Sequence, residues 1–117
     1  MEAFRTRRVV DEFNSRSIPF QLARVSSTAT AVRVKIRGLV HGVSFRSSMA
    51  QVASNFGVRG WVRNVPDGSV EAFLEGDERN VKRVLDWAKL GPPRARVDRF
   101  EVEVTSPRNH HDFRIHG

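Results

Sequence analysis

The chain has no cysteine among its 117 residues. This absence excludes a disulfide framework, a thiolate nucleophile, a zinc site built on thiolates and an iron–sulfur cluster. It is also consistent with a cytoplasmic location, which we expect for this protein. No apolar run approaches the roughly 20 residues that a membrane span requires, so we expect no membrane association. A chain of this length has room for one compact domain.

The charged residues are unbalanced, because 20 lysines and arginines stand against 13 aspartates and glutamates, for a formal net charge of +7. Such an excess favours anionic partners, from phosphate to nucleic acid, without choosing between them. The first 30 residues show no sustained hydrophobic period and close in a polar run of serine and threonine. We therefore predict a flexible N-terminal extension over residues 1–30 and a folded domain over residues 31–117.

The apolar pattern becomes regular from Ala31 onward. Apolar and basic residues alternate from Val32 to Arg37, which predicts a strand with one buried face. Asp77 is the expected N-cap of a helix that ends at Gly91. In full, the pattern predicts strands around residues 32–37, 58–64, 70–74, 100–104 and 113–115, and helices around residues 49–56 and 78–88.

The order β-α-β-β-α-β with a short extra strand predicts a ferredoxin-like α/β (α+β) sandwich, in which two helices cover one face of an antiparallel sheet. In the usual strand order of that topology, 4-1-3-2, the first strand lies beside the fourth. Arg33, Lys35 and Arg37 would then share an exposed face with Glu101 and Glu103. Opposite charges across these strands would largely cancel the basic stripe.

A glycine-containing loop joins the first strand to the first helix and reads Gly-Leu-Val-His-Gly-Val-Ser-Phe-Arg over residues 38–46. The first amide hydrogens of a helix have no intrahelical partners, and the helix dipole favours negative charge there. Gly38 and Gly42 would let the backbone turn. Arg46 would add a planar fork suited to phosphate oxygens. The loop predicts an oxyanion cradle, although a plain connection would explain a glycine loop as well.

Asn64 ends the second predicted strand, directly before a turn. A carboxamide can accept a hydrogen bond from water while donating elsewhere, but it does not remove a proton near neutral pH. An Asn64 that faces the cradle could orient a water molecule without acting as a base. As an ordinary turn residue it would have a structural role only.

Two motifs in the chain resemble the acylphosphatase family. The loop of residues 38–46 resembles the family pattern G-x-V-Q-G-V-x-F-R, and Gly-Val-Arg-Gly-Trp-Val-Arg-Asn at residues 57–64 resembles its G-x-x-G-W-V-x-N element. Shorter matches at residues 67–71, 75–76, 91–95 and 113–115 extend the resemblance over residues 31–117 in order.

The resemblance implies hydrolysis of the carboxyl-phosphate bond of small acyl phosphates, with no metal or other cofactor. It assigns Arg46 and Asn64 as catalytic residues: Arg46 holds the phosphoryl group, and Asn64 positions the attacking water. The phosphoryl group is also held by the backbone amides of His41, Gly42, Val43, Ser44, Phe45 and Arg46. We expect a monomer, with inorganic phosphate as both product and competitive inhibitor.

His41 stands where the family pattern has glutamine. It is either a tolerated polar replacement at the rim of the loop, or a source of charge beside the phosphate below the ordinary histidine pKa of about 6.5. The other histidines, His110, His111 and His116, do not predict a metal site. Adjacent residues on a strand point to opposite faces, and no carboxylate pattern completes a ligand set.

A nucleic-acid-binding module is the main alternative, since the fold type and the net charge permit it. Against it, the first strand lacks the aromatic pair on which an RNA-recognition sheet stacks bases, and Phe73 would be the lone aromatic on the exposed face of the third strand. A domain used only for docking is a third interpretation. The presence of both Arg46 and Asn64 favours the enzyme, and we expect nucleic acid not to be the partner.

Overall fold

The computed structural model describes residues 29–117, which form one five-stranded sheet and two helices. The elements are β1 (Ala29–Leu39), α1 (Phe45–Asn55), β2 (Arg59–Asn64), β3 (Val70–Asp77), α2 (Glu78–Leu90), β4 (Arg96–Thr105) and β5 (Phe113–His116). The predicted order of elements is confirmed. The predicted extension of residues 1–30 lies outside the described residues except for its last two, which pair with β3 as the start of β1.

The strands follow the order β4-β1-β3-β2-β5, so the predicted order 4-1-3-2 is confirmed for the four longer strands. Those four strands pair antiparallel. β5 instead pairs parallel with β2, and the sheet is therefore mixed where an antiparallel one was expected. The difference arises in the β4–β5 connection (residues 106–112), which crosses from one edge of the sheet to the other. Parallel neighbours require such a crossover.

Both helices pack on the face of the sheet that carries the apolar alternation. Val32, Val34 and Ile36 of β1 are fully buried there, as their spacing predicted. The predicted stripe of α2 is buried against them and consists of Val81, Val84, Leu85 and Ala88. Burying one such aliphatic side chain contributes about 1.5–3 kcal/mol. Within residues 29–117, neither helix has the length and apolar composition needed to cross a bilayer.

The ends of α2 are those that the sequence predicted. Asp77 accepts a hydrogen bond from the backbone N–H of Arg79 at 2.9 Å and is the N-cap. Gly91 closes the helix with a positive φ of 75°, a conformation that favours glycine. These two ends fix the length of the helix that covers β1 and β3.

The charges of β1 are balanced across the open face of the sheet, the one without helices. Arg33 lies opposite Glu103, and Lys35 lies opposite Glu101. On the other side, Arg33 forms an ion pair with Glu71 at 3.8 Å, and Lys35 forms one with Asp67 at 3.2 Å. The predicted placement opposite Glu101 and Glu103 is confirmed. The carboxylates that form these two ion pairs, Glu71 and Asp67, were not part of that prediction.

Phe73 is the lone aromatic on its face of β3, as expected, but that face is not exposed there, because Phe73 is only 3% exposed. The β4–β5 connection covers it: the ring of His110 lies 5.1 Å from its ring, and the guanidinium of Arg108 lies 5.8 Å over it. Trp61 of β2 stacks beside it at 6.3 Å. The expectation of exposure was wrong because alternation assigns a residue to a face of a sheet but does not show which distant segment covers that face.

Glu75 lies on the same face and is completely buried. Its carboxylate accepts hydrogen bonds from the backbone N–H groups of Arg108 and Asn109 at 3.0 Å and of His110 at 2.7 Å, and also contacts Nδ1 of His110. Burial alone would raise the pKa of Glu75, but the hydrogen bonds from His110, Asn109 and Arg108 outweigh it and hold the pKa below its ordinary value. Glu75 thus ties the connection that leads into β5 to the sheet.

Candidate active site

β1 passes into α1 through the β1–α1 loop (residues 40–44), whose backbone alternates in the sign of φ. Gly42 has φ 74° and Ser44 has φ 65°, whereas His41 and Val43 are not among the positive-φ residues. Alternation of this kind turns successive N–H groups toward one side and makes an anion-binding concavity. The loop therefore has the backbone shape of the predicted cradle.

The start of α1 continues the same surface. The side chain of Ser44 does not cap the helix, and its first turn, which lies within the described residues, contains no acidic residue. Its first amide hydrogens are therefore left without a side-chain acceptor. A helix start of this kind offers amide hydrogens and positive dipole charge to an anion.

Gly38, near the end of β1, and Gly42, in the β1–α1 loop, are needed for different reasons. Gly42 has open space around it, since a Cβ there would meet no atom of the described chain within 4 Å, so its backbone conformation is the constraint. At Gly38, a Cβ would lie 2.1 Å from the carbonyl oxygen of Arg96 on β4. Gly38 sits where the pairing of β1 with β4 shifts register, and it shapes the entrance to the loop through this close approach.

Arg46 and Asn64 line one cleft of about 190 Å³. Arg46 is the second residue of α1, and Asn64 is the last residue of β2. Asn64 lies opposite Val70 on the face that the helices cover, which turns its amide toward α1. The other lining residues are Val40, Gly42, Ser44, Phe45, Ser47 and Ile115. The structure thus brings together the two side chains that the sequence singled out.

Arg46 is held by the end of β5. Its Nη1 donates a hydrogen bond to the carbonyl oxygen of His116 at 3.1 Å. A guanidinium has five N–H donors in a fixed fork, so this bond fixes one arm and leaves the others for an anion in the cleft. The side chain of Asn64, in contrast, makes no hydrogen bond within residues 29–117, and its amide is available to a water molecule.

His41 and Val43 do not line the cleft with their side chains. Val43 packs into the core. His41 Nε2 donates to the carbonyl oxygen of Ser69 at 2.8 Å, which requires a hydrogen on Nε2. The N–H and Oγ of Ser69 both donate to Asp67, and these bonds, helped by Lys35, hold the pKa of Asp67 well below its usual range. His41 therefore anchors the loop to the β2–β3 turn, as a glutamine amide could.

Two of the remaining histidines, His110 and His116, have other contacts. His110 binds Glu75, and the ring of His116 stacks on Trp61 with centroids 5.8 Å apart. Among residues 29–117, no group of three or more histidine, aspartate or glutamate side chains is placed to hold a metal ion.

Sequence reasoning gave no role to two contributors from β5. Ile115 lines the cleft and is 47% exposed, and the carbonyl oxygen of His116 binds Arg46. The resemblance to the family pattern at residues 113–115 indicated this strand, but it did not indicate that the strand lies beside the cleft. A backbone carbonyl carries no sequence signal, so the contact of His116 could not have been read from the residue types.

The β1–α1 loop, an arginine and a carboxamide surround one cleft of a ferredoxin-like sandwich, an arrangement suited to a phosphate group. The acylphosphatase family model matches residues 32–115. The acylphosphatase of Thermococcus kodakarensis is 49% identical over 84 residues, covering 72% of this chain and 92% of that protein. The acylphosphatase of Pyrobaculum islandicum is 52% identical over 82 residues, covering 68% of this chain and 86% of that protein.

The fold comparison agrees with the sequence comparisons. The crystal structure of an acylphosphatase from Bacillus subtilis matches with a TM-score of 0.73 at 32% identity, covering 75% of this chain and 99% of that chain. The chain belongs to the acylphosphatase family. The predicted family, fold and enzyme class are confirmed.

The contact of His41 with Ser69 predicts how the loop responds to substitution. His41→Gln should bind inorganic phosphate within about twofold of the wild type, because its amide still donates to Ser69. His41→Ala should bind it about three- to tenfold more weakly, the scale of one lost hydrogen bond of about 0.5–1.5 kcal/mol. Calorimetric titration at pH 5.5 and pH 8 measures both variants. A His41→Gln affinity that falls below the wild type only at pH 5.5 would instead show that a charged imidazole attracts the phosphate.

Proposed function

We propose that this chain hydrolyses the carboxyl-phosphate bond of small acyl phosphates by in-line attack of water, releasing a carboxylate and inorganic phosphate. The observation that carries the proposal is the single cleft shared by Arg46, Asn64 and the start of α1. Membership of the acylphosphatase family and relatives with that name support the reaction class.

The phosphoryl group binds where the β1–α1 loop meets α1. The amides of residues 41–46 donate to its oxygens, and the arms of Arg46 that His116 does not use add a charged fork. Charge on the equatorial oxygens is what a phosphoryl-transfer site must neutralise. Donors fixed in place before the reaction stabilise that charge without reorganising, which favours the transition state.

Asn64 holds the attacking water. Its carbonyl oxygen accepts a hydrogen bond from the water, which leaves a lone pair of the water free to approach phosphorus. Since a carboxamide does not take up a proton at neutral pH, the proton of the water passes to a phosphate oxygen. Asn64 acts by orientation, and such placement is a large part of catalysis in phosphoryl transfer.

The leaving group needs no help from an acid. A carboxylic acid has a pKa of about 4, so the carboxylate departs as a stable anion and no general acid has to protonate it. Arg46 and the amides supply the positive charge that a metal ion provides in other phosphoryl-transfer enzymes. We therefore propose a reaction without a metal or other cofactor.

The remaining features of the function are part of the same proposal. The substrate is a small acyl phosphate, which membership of the acylphosphatase family supports. Inorganic phosphate, the product, competes for the same donors. We propose a monomer of cytoplasmic location that does not bind nucleic acid, since the open face of the sheet pairs its arginines and lysines with carboxylates and covers Phe73.

Substitutions separate the roles of the two cleft side chains. Arg46→Ala should weaken phosphate binding and lower kcat/KM by about 10²–10³-fold, as for loss of a fixed charge stabiliser. Arg46→Lys should restore little, because an ammonium lacks the two-pronged geometry. Asn64→Ala should lose a comparable factor in kcat while binding inorganic phosphate almost normally. Turnover of a synthetic aryl acyl phosphate and calorimetric titration with phosphate measure these effects.

Arg63→Ala is the matched control, because Arg63 precedes Asn64 but lies on the opposite face of β2, paired with Glu71. It should keep wild-type turnover and phosphate affinity, and circular dichroism should show that all variants are folded. Wild-type hydrolysis by both Arg46→Ala and Asn64→Ala would refute the proposed function. Equal loss of phosphate affinity in these two variants would refute the division of roles.

Metal independence is tested with the wild-type protein. Activity should be the same before and after dialysis against EDTA, because Arg46 and backbone amides neutralise the phosphoryl charge. The comparison uses initial rates at saturating substrate in metal-free buffer, with and without added Mg²⁺. Inactivation by EDTA that added metal reverses would overturn a metal-free mechanism.

A further inference from the structure

A fully buried carboxylate lies at the end of the sheet opposite the cleft. Glu75 is 0% exposed, and it accepts from three consecutive backbone N–H groups and contacts an imidazole nitrogen. A buried carboxylate is costly unless hydrogen bonds compensate it. Glu75 is compensated at both oxygens, and every bond comes from residues 108–110. Its partners thus belong to one short segment, and Glu75 fixes that segment to β3.

The segment that Glu75 fixes leads directly to β5. Asp112 accepts a hydrogen bond from the N–H of Gly60 at 2.9 Å, and β5 then runs along β2 to His116. β5 has only four residues, of which three are exposed and Phe113 is partly buried. Such a strand gains little from apolar burial. Its place at the sheet edge therefore depends on its pairing with β2 and on the anchored connection before it.

A row of rings makes a second link between the same two ends. His110 contacts Phe73, Phe73 stacks on Trp61, and Trp61 stacks on His116, with centroid separations of 5.1, 6.3 and 5.8 Å. This aromatic row (His110, Phe73, Trp61 and His116) crosses the open face from the Glu75 contact to the last residue of β5. The carbonyl oxygen of that last residue accepts from Nη1 of Arg46.

We propose that Glu75 is a positioning residue for Arg46. By fixing the β4–β5 connection, it holds β5 and the aromatic row so that the carbonyl of His116 sets the direction of the Arg46 guanidinium in the cleft. This inference rests on the proposed function, in which Arg46 binds the phosphoryl group. Glu75 touches no reacting atom and acts only through β5.

Glu75→Gln tests the coupling between Glu75 and Arg46. In glutamine an NH₂ group replaces one of the two carboxylate oxygens, and this donor then faces the donors of residues 108–110. Calorimetric titration with inorganic phosphate should show binding about tenfold weaker than in the wild type, and kcat/KM for an aryl acyl phosphate should fall by about 10- to 100-fold, the scale of a small misplacement. In an Arg46→Ala background, Glu75→Gln should change phosphate affinity by less than about twofold, because the coupled residue is gone.

Asp77→Ala is the matched control for stability. It removes the N-cap of α2 two residues further along the chain and should lower the melting temperature, as loss of a cap does. It does not touch β5, so its phosphate affinity should be that of the wild type. A Glu75→Gln variant that loses melting temperature but keeps wild-type phosphate affinity would show a purely structural role and overturn the inference.

A second pair of variants tests the same link from the other partner. His110→Asn keeps a donor near the position of Nδ1, whereas His110→Leu has similar size and no donor. We expect His110→Asn to bind phosphate at least threefold more tightly than His110→Leu, and equal affinities would count against the inference.

Phosphate affinity also separates failure of the inference from failure of the proposed function. If Arg46→Ala binds phosphate like the wild type, the proposed function fails. If Arg46→Ala binds phosphate weakly and Glu75→Gln binds it like the wild type, the inference alone fails.

Discussion

Amide hydrogens without an acceptor, at the junction of β1 and α1, are the feature around which the site is arranged. Backbone N–H groups are strong donors, and neither a side-chain cap nor an acidic residue of the first turn accepts from those at the start of α1. The conformation that presents them has a cost of about 1–2 kcal/mol, because Ser44 is a non-glycine residue with φ 65°. A bound anion satisfies these donors. The donors of this junction are those that we propose for the phosphoryl group.

The two faces of the sheet have separate tasks. The helix-covered face carries the apolar core and, at the end where β1 and β2 finish, the cleft with Arg46 and Asn64. The open face carries the ion pairs of β1 and the contacts that hold the β4–β5 connection. Because β5 joins the edge of β2, it brings Ile115 and the carbonyl of His116 to the cleft. Contacts on the open face therefore determine part of the site on the other face.

Most of the fold could be predicted because its signals are local. The alternation from Val32 to Arg37, the apolar stripe of α2 and the cap at Asp77 each depend on neighbours in sequence. Arg46 and Asn64 stood out because their motifs lie at the expected places in the predicted elements. The parallel pairing of β5 and the burial of Phe73 and Glu75 were missed, since all three depend on where residues 106–112 cross the sheet. That path is set by distant hydrogen bonds, which periodicity does not record.

Hydrolysis in water enriched in ¹⁸O tests most directly whether water attacks phosphorus while the carboxylate leaves. A single turnover with enzyme in excess over an aryl acyl phosphate avoids exchange of label during later cycles, and mass spectrometry of both products locates the label. Attack by a water held on Asn64 places one ¹⁸O atom in inorganic phosphate and none in the carboxylic acid. Label in the carboxylic acid would mean attack at the carbonyl carbon, which contradicts phosphoryl transfer in this cleft.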